Sequence, residues 1–188
     1  MIFKNLTELC RQNKLIWLYG EPGGVQWVSE GHAMYPLHGM PCLTSDVLAR
    51  VFDVPEKDRP KYSIRHDTEL PELFCYEDVA KNEIQLKDEP YIIQRYDTVL
   101  RPVRTSRGLM FYDPNLLKPL RDVQDTMEIY ERKTPKGQIY FAVKSGFLLQ
   151  AIVLPYMMDS KRMLDELLGL CEALQESVER EKEAEAGR

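Results

Sequence analysis

The sequence predicts an α+β fold in which one unit, a helix followed by antiparallel strands, is used twice and is followed by a separate amphipathic helix. Three observations lead there. Residues 26–37 read as an apolar strand that breaks at Gly31 and resumes until Pro36. Residues 139–155 repeat that pattern, breaking at Gly146 and stopping at Pro155. Glycine supplies the positive φ of a tight hairpin, and proline cannot donate to a ladder, so break and stop each have a local cause. Each stretch is also entered through a Pro-Gly turn, Glu21-Pro22-Gly23-Gly24 and Thr134-Pro135-Lys136-Gly137, and preceded by a short helical pattern: Leu6, Leu9, Cys10 and Leu116, Leu117, Leu120. Two copies of one supersecondary unit imply a pseudo-symmetric sheet with helices on one face. The competing explanation is that any α+β chain places helices before hairpins.

Taken in order, residues 4–13 form the first helix, with Lys4, Arg11 and nearby Lys14 toward solvent. Leu15–Tyr19 and Val25–Leu37 pair as a hairpin. Thr44-Ser45-Asp46 is an N-cap signal for a helix whose apolar face is Val47, Leu48, Val51 and Phe52, and Pro55 ends it. Lys61–Arg65 is a short strand. Residues 66–90 form a loop-rich connection with room for a brief helix, punctuated by Pro71 and Pro90. Tyr91–Leu100 is β-rich. Asp113-Pro114 starts the third helix as N-cap and first helical residue, and Pro119 keeps it short or kinked. Met127–Tyr130 and Ile139–Val153 complete the second hairpin system. Beyond Pro155 the composition changes: Met163, Leu167, Leu170, Leu174 and Val178 trace an apolar seam on one long helix, and Glu179–Arg188 is its solvated end. The domains expected are therefore 1–157 and 158–188, the seam packing on the body or pairing with another chain.

With 188 residues, 44% hydrophobic and 29% charged, the chain can bury a substantial core. No apolar run reaches the roughly 18 to 20 residues that span a bilayer, and Met1-Ile2-Phe3-Lys4-Asn5 opens no long apolar segment, so a cytoplasmic protein without a membrane partner is expected. Cys10, Cys42, Cys75 and Cys171 have no metal-ligand spacing and read as reduced, mostly buried thiols. The net charge of −5 argues against nucleic acid. From Asp159 onward, however, nine acids face five bases, which leaves the body near neutrality. Between Thr98 and Arg121, Arg101, Arg104, Arg107, Lys118 and Arg121 are opposed by Asp113 alone. That density suits phosphate contacts, or equally a basic hairpin tip balanced by acids from elsewhere. There is no phosphate-cradling glycine loop, nucleophile elbow or metal cluster, and His38 with Cys42 lacks an orienting acid. An enzyme, a metal and a cofactor are not expected.

The stretch Trp27-Val28-Ser29-Glu30-Gly31-His32-Ala33-Met34 resembles the Thr-Asp-Gly-His-Arg-Leu-Ala signature in the middle domain of the bacterial DNA polymerase sliding clamp, the β clamp. Cys42 to Phe52 is similar to the strand-to-helix segment that follows it. Asp113 to Met157 is similar to the family's last half-domain with its Met-Pro-Met-like close. Ser29-Glu30 stands for Thr-Asp, Ala33 for the arginine and Tyr156 for a methionine. The resemblance implies a DNA-clamp-like fold and a non-enzymatic processivity or replication accessory factor. Lys4, Arg11, Lys14, Arg101, Arg104, Arg107, Lys118 and Arg121 would then face double-stranded DNA. A peptide of a polymerase or other replication protein would sit on Gly31, His32, Ala33, Met34, Ile152 and Leu154. Family rings contain about six such domains, so encircling DNA would need a homo-oligomer. The alternative is a clamp-fold adaptor or mobile-element regulator that binds a protein partner without surrounding DNA.

Overall fold

The computed structural model describes residues 1–21, 23–95, 98–156 and 160–186, and shows a mixed α+β body followed by a long helix. The chain divides into two units, Met1–Tyr156 and Met157–Arg188. Pro22 of the first Pro-Gly turn and Met157 of the closing strand motif lie outside the described residues, as does the side chain of Met163.

In the body, helix α1 (Phe3–Asn13) leads into β1 (Leu15–Tyr19), β2 (Trp27–Ser29) and β3 (Ala33–Pro36). Then come helix α2 (Ser45–Val51), a 3-10 turn at Glu56–Lys61, β4 (Ser63–Asp67), β5 (Ile84–Leu86), β6 (Ile93–Arg95), β7 (Thr98–Thr105) and β8 (Gly108–Tyr112). A 3-10 segment, Pro114–Thr126, precedes β9 (Met127–Lys133), β10 (Ile139–Ser145) and β11 (Leu148–Val153). Eight strands form one sheet in the order β4-β1-β2-β3-β11-β10-β9-β5, and β6, β7 and β8 form a second. From the β3–β11 pair outward, the large sheet reads β3, β2, β1 on one side and β11, β10, β9 on the other, and the flanking strands differ, β4 running parallel to β1 and β5 antiparallel to β9. At its centre Met34 stands opposite Ile152 and Ala33 opposite Val153, antiparallel.

Each half contains one glycine-broken hairpin. Gly31, between β2 and β3, has φ of 104°, and Gly146, between β10 and β11, has φ of 59°, conformations that a side chain disfavours. The helical segments preceding the halves lie side by side. The Ile2 amide donates to the Pro119 carbonyl at 2.6 Å, and Asn5 Nδ2 donates to the Lys118 carbonyl at 2.8 Å. The segment after Asp113 is 3-10 rather than α-helical and is kinked at Val123 (φ −120°), with Pro119 inside it lacking an N–H. Asp113 caps it by accepting from the Asn115 amide at 2.8 Å. Thr44, by contrast, caps α2 without a side-chain hydrogen bond.

Strand residues alternate between two cores. Val28, Ala33, Tyr35, Phe141, Val143, Ala151 and Val153 join the core beneath α1, α2 and the 3-10 segment. Trp27, Met34, Tyr140, Ala142, Leu149 and Ile152 point to the other face, where Leu70, Phe74 and Tyr76 cover them. Burial on both faces explains why residues 139–153 are almost continuously apolar. The 66–90 connection holds no helix between Asp67 and Ile84; it lies across the sheet as irregular chain. The cysteines differ from expectation: all are free, but Cys10 alone is buried, while Cys42 and Cys171 are exposed. Burial, reinforced by the Glu30 charge, pushes the Cys10 thiol well up, so it is protonated and inert at neutral pH.

In the second unit, α3 (Ser160–Ala186) is continuous for 27 residues. The described side chains of its seam, Leu167, Leu170, Leu174 and Val178, are exposed. Among the described residues no helix is long and apolar enough to cross a membrane.

Candidate nucleic-acid interface

The eight basic residues singled out in the sequence fall into two groups. Lys4, Arg11 and Lys14 belong to α1 and its C-terminal cap, and Lys118 and Arg121 to the adjacent 3-10 segment; Asn5 and Ile2 tie these two elements together. Lys14 takes the left-handed conformation that ends α1, at φ 54°. Arg101, Arg104 and Arg107 sit on the β7–β8 hairpin. A groove of about 510 Å³ is lined by Arg101 of the hairpin and by Lys118 and Arg121 of the 3-10 segment, together with the acids Asp88 and Glu128.

Ion pairing separates these cations into two kinds. Arg101 Nη1 donates to Asp88 Oδ2 at 3.0 Å, Arg104 Nε donates to Glu89, and Arg11 Nη1 donates to Asp53 at 3.2 Å. The hairpin's acids come from outside the 98–121 window. A bridge between Asp88 and Val103, and the Glu89 amide bonded to the Pro102 carbonyl at 3.0 Å, lay residues 88–89 along β7. The positive density read along the sequence is thus neutralised at two of its three hairpin arginines. Asp88 also accepts from the Tyr112 hydroxyl at 3.1 Å; burial first, and then the Asp88 charge, pushes that phenol well above its ordinary value. Lys4, Lys14, Lys118, Arg121 and Arg107 have no carboxylate partner among the described residues. Four of these five lie on the paired helical elements, where Glu8 and Asp125 temper the charge and Asp122 is held by the Met1 amino group.

No family model matches this chain, and neither a curated protein nor a solved structure does.

The six residues of the expected peptide site converge on the β3–β11 seam. Ile152 faces Met34, and the Leu154 amide donates to the His32 carbonyl at 2.8 Å. Their accessibility differs sharply. Ala33, Met34 and Ile152 are buried, whereas the His32 side chain is exposed and Leu154 is 37% exposed. The cover over Met34 and Ile152 is the chain's own. Tyr76 packs edge-on against Trp27 at 5.1 Å and its hydroxyl meets Met34 Sδ at 3.9 Å, while Phe74 packs against Tyr140 at 5.1 Å.

Two charged clusters hold this arrangement, and neither was singled out in the sequence. Glu30, fully buried, accepts from the His32 amide at 2.9 Å and the Ala33 amide at 2.7 Å, and also from Asn13 Nδ2, fixing the Gly31 turn. Arg132, nearly buried, donates to the carbonyls of Cys75 (3.1 Å), Glu77 (2.8 Å) and Asp78 (3.2 Å) and to Glu83 Oε2 at 2.6 Å. Lys144 Nζ donates to Glu83 Oε1 at 2.6 Å, and the Leu149 amide donates to Asp78 Oδ1 at 2.8 Å. A signal for the second cluster was present: Arg132 and Lys144 interrupt strands that are otherwise apolar or alternating, and such charges stay buried only when paired.

Proposed function

We propose that this protein is a non-enzymatic, DNA-clamp-like accessory factor that meets the DNA backbone with the paired face of α1 and the 114–126 segment. The observation that carries this reading is the mirrored strand order about β3–β11 with both leading helical segments side by side, as the clamp resemblance implies. Lys4, Lys14, Lys118 and Arg121 supply the cations, and phosphates would take the place of the carboxylates they lack. Such contacts are independent of base sequence and weaken with salt. A partner peptide of a replication protein would reach His32 and Leu154 at the seam first, because Met34 and Ile152 are covered.

The test is fluorescence anisotropy with a 30-base-pair duplex over a salt series. Four phosphate contacts predict a slope of log K against log salt of about −3 to −4. Replacing Lys118 and Arg121 by Gln should lower it by about two units. A folded protein that does not bind duplex at 50 mM salt would remove the nucleic-acid reading.

The second reading, an adaptor that never surrounds DNA, is favoured by the sheet edges. β5 has three residues, and β4 carries Arg65, His66 and Asp67. Short, charged edges resist strand-to-strand closure between copies. Peptide capture without any salt-dependent DNA binding would select this reading.

A further inference from the structure

We propose that α3 is an oligomerisation element that pairs antiparallel with α3 of a second copy of this chain; the inference does not depend on the nucleic-acid reading. Leu164, Leu167, Leu168, Leu170, Leu174 and Val178 are between 42% and 68% exposed along this helix. They are not scattered. Leu164, Cys171 and Val178 repeat every seven residues, Leu167 and Leu174 fall four positions before the next member of that set, and Leu168 and Leu170 widen the stripe on either side. This is the pattern of a helix whose face is buried against other helices, and a contiguous exposed apolar face of this extent marks an interaction surface.

The charges set the direction of the pair, because both halves of the helix are acidic but unequally so. Residues 160–173 carry two bases and three acids, whereas residues 174–186 carry two bases and five acids. A parallel pair superposes the two acidic halves. An antiparallel pair instead lays each acidic half along the Lys161-Arg162 end of the other helix. The heptad positions from Leu164 to Val178 are centred on Cys171, so a two-fold axis near that residue matches apolar surface with apolar surface. Gly169 occupies the opposite, polar side of the helix, where it costs no packing.

Light scattering on the full chain at about 100 µM tests this. A dimer is expected, and a monomer or an assembly of any other size overturns the proposal. In the Leu167→Glu/Leu174→Glu variant the mass should fall to that of a monomer, and retention of the assembly overturns it. Both tryptophans, Trp17 and Trp27, lie in the body strands, so their emission verifies that the body of the variant remains folded. Direction is read from spin labels at Lys182→Cys in a background whose other exposed cysteines are serine. At 1.5 Å rise per residue, an axis near residue 171 places the two label sites about 33 Å apart along the helices. A separation near 10 Å, as in a parallel pair, overturns the antiparallel arrangement.

Discussion

The Glu30 carboxylate is fully buried, and its partners are the backbone amides of the turn it precedes, the Asn13 amide and, at 3.5 Å, Nδ1 of the exposed His32 ring. Removing it leaves buried donors without an acceptor, each costing about 1–3 kcal/mol. Glu30→Ala is therefore expected to lose about 3 kcal/mol in urea unfolding, and Glu30→Gln less, since it keeps one acceptor oxygen. The Glu83 carboxyl illustrates a different balance. Burial opposes its ionisation, but hydrogen bonds from Lys144 and Arg132 outweigh burial and hold it below the ordinary carboxylate value of 4.5. Glu131 is lowered likewise: burial again opposes ionisation, and bonds from Ser106 and then Lys133 prevail. A depressed folded value means that the unfolded chain takes up protons first as pH falls. The stability these groups contribute is complete above about 4.5 and is lost as pH drops through their lower folded values. Chemical denaturation between pH 7 and pH 3 should show this loss, and Glu83→Gln should flatten the decline.

At the scale of elements, the covering segment between β4 and β5 decides what the sheet's second face can do. Phe74 and Tyr76 bring the aromatic contact, while Arg132, Glu83 and Asp78 fix the backbone that carries them. Truncating either ring at this half-buried position is expected to cost about 2 kcal/mol, less than for a fully enclosed aromatic. Tyr76→Ala should also uncover Trp27, which is 4% exposed, and shift its emission to the red; an unchanged spectrum would show that the cover does not depend on this ring. The strands beneath were legible in advance because apolar runs, glycine breaks and proline stops are local signals. Residues 139–153 gave both boundaries and the Gly146 turn. The cover was not legible, since Leu70 and Phe74 stand four apart but Phe74 and Tyr76 two apart, so no single period runs through them, and what orders them is a set of bonds to strand residues more than fifty positions away. The same distance in sequence hid the pairing of Arg101 and Arg104. Their acids precede them by 13 and 15 residues and reach them through a bridge that no local pattern announces.

For the whole molecule, the division into a body of Met1–Tyr156 and the α3 unit predicts that two spectroscopic probes report different processes. The body is held by one large sheet with a core on each face, and both tryptophans belong to it. Its cooperative unfolding, followed by tryptophan emission, should have a midpoint independent of protein concentration, because no second copy enters that core. A single helix in water gains little from its own backbone bonds and depends on packing of its apolar face. If copies supply that packing, the helical signal at 222 nm should contain a component whose midpoint rises with concentration by mass action. Thermal scans from about 2 to 200 µM would separate the two. Leu167→Glu/Leu174→Glu should abolish the concentration-dependent component and leave the tryptophan transition in place. A single transition, common to both probes and unmoved by dilution, would instead mean that α3 melts with the body as one cooperative unit.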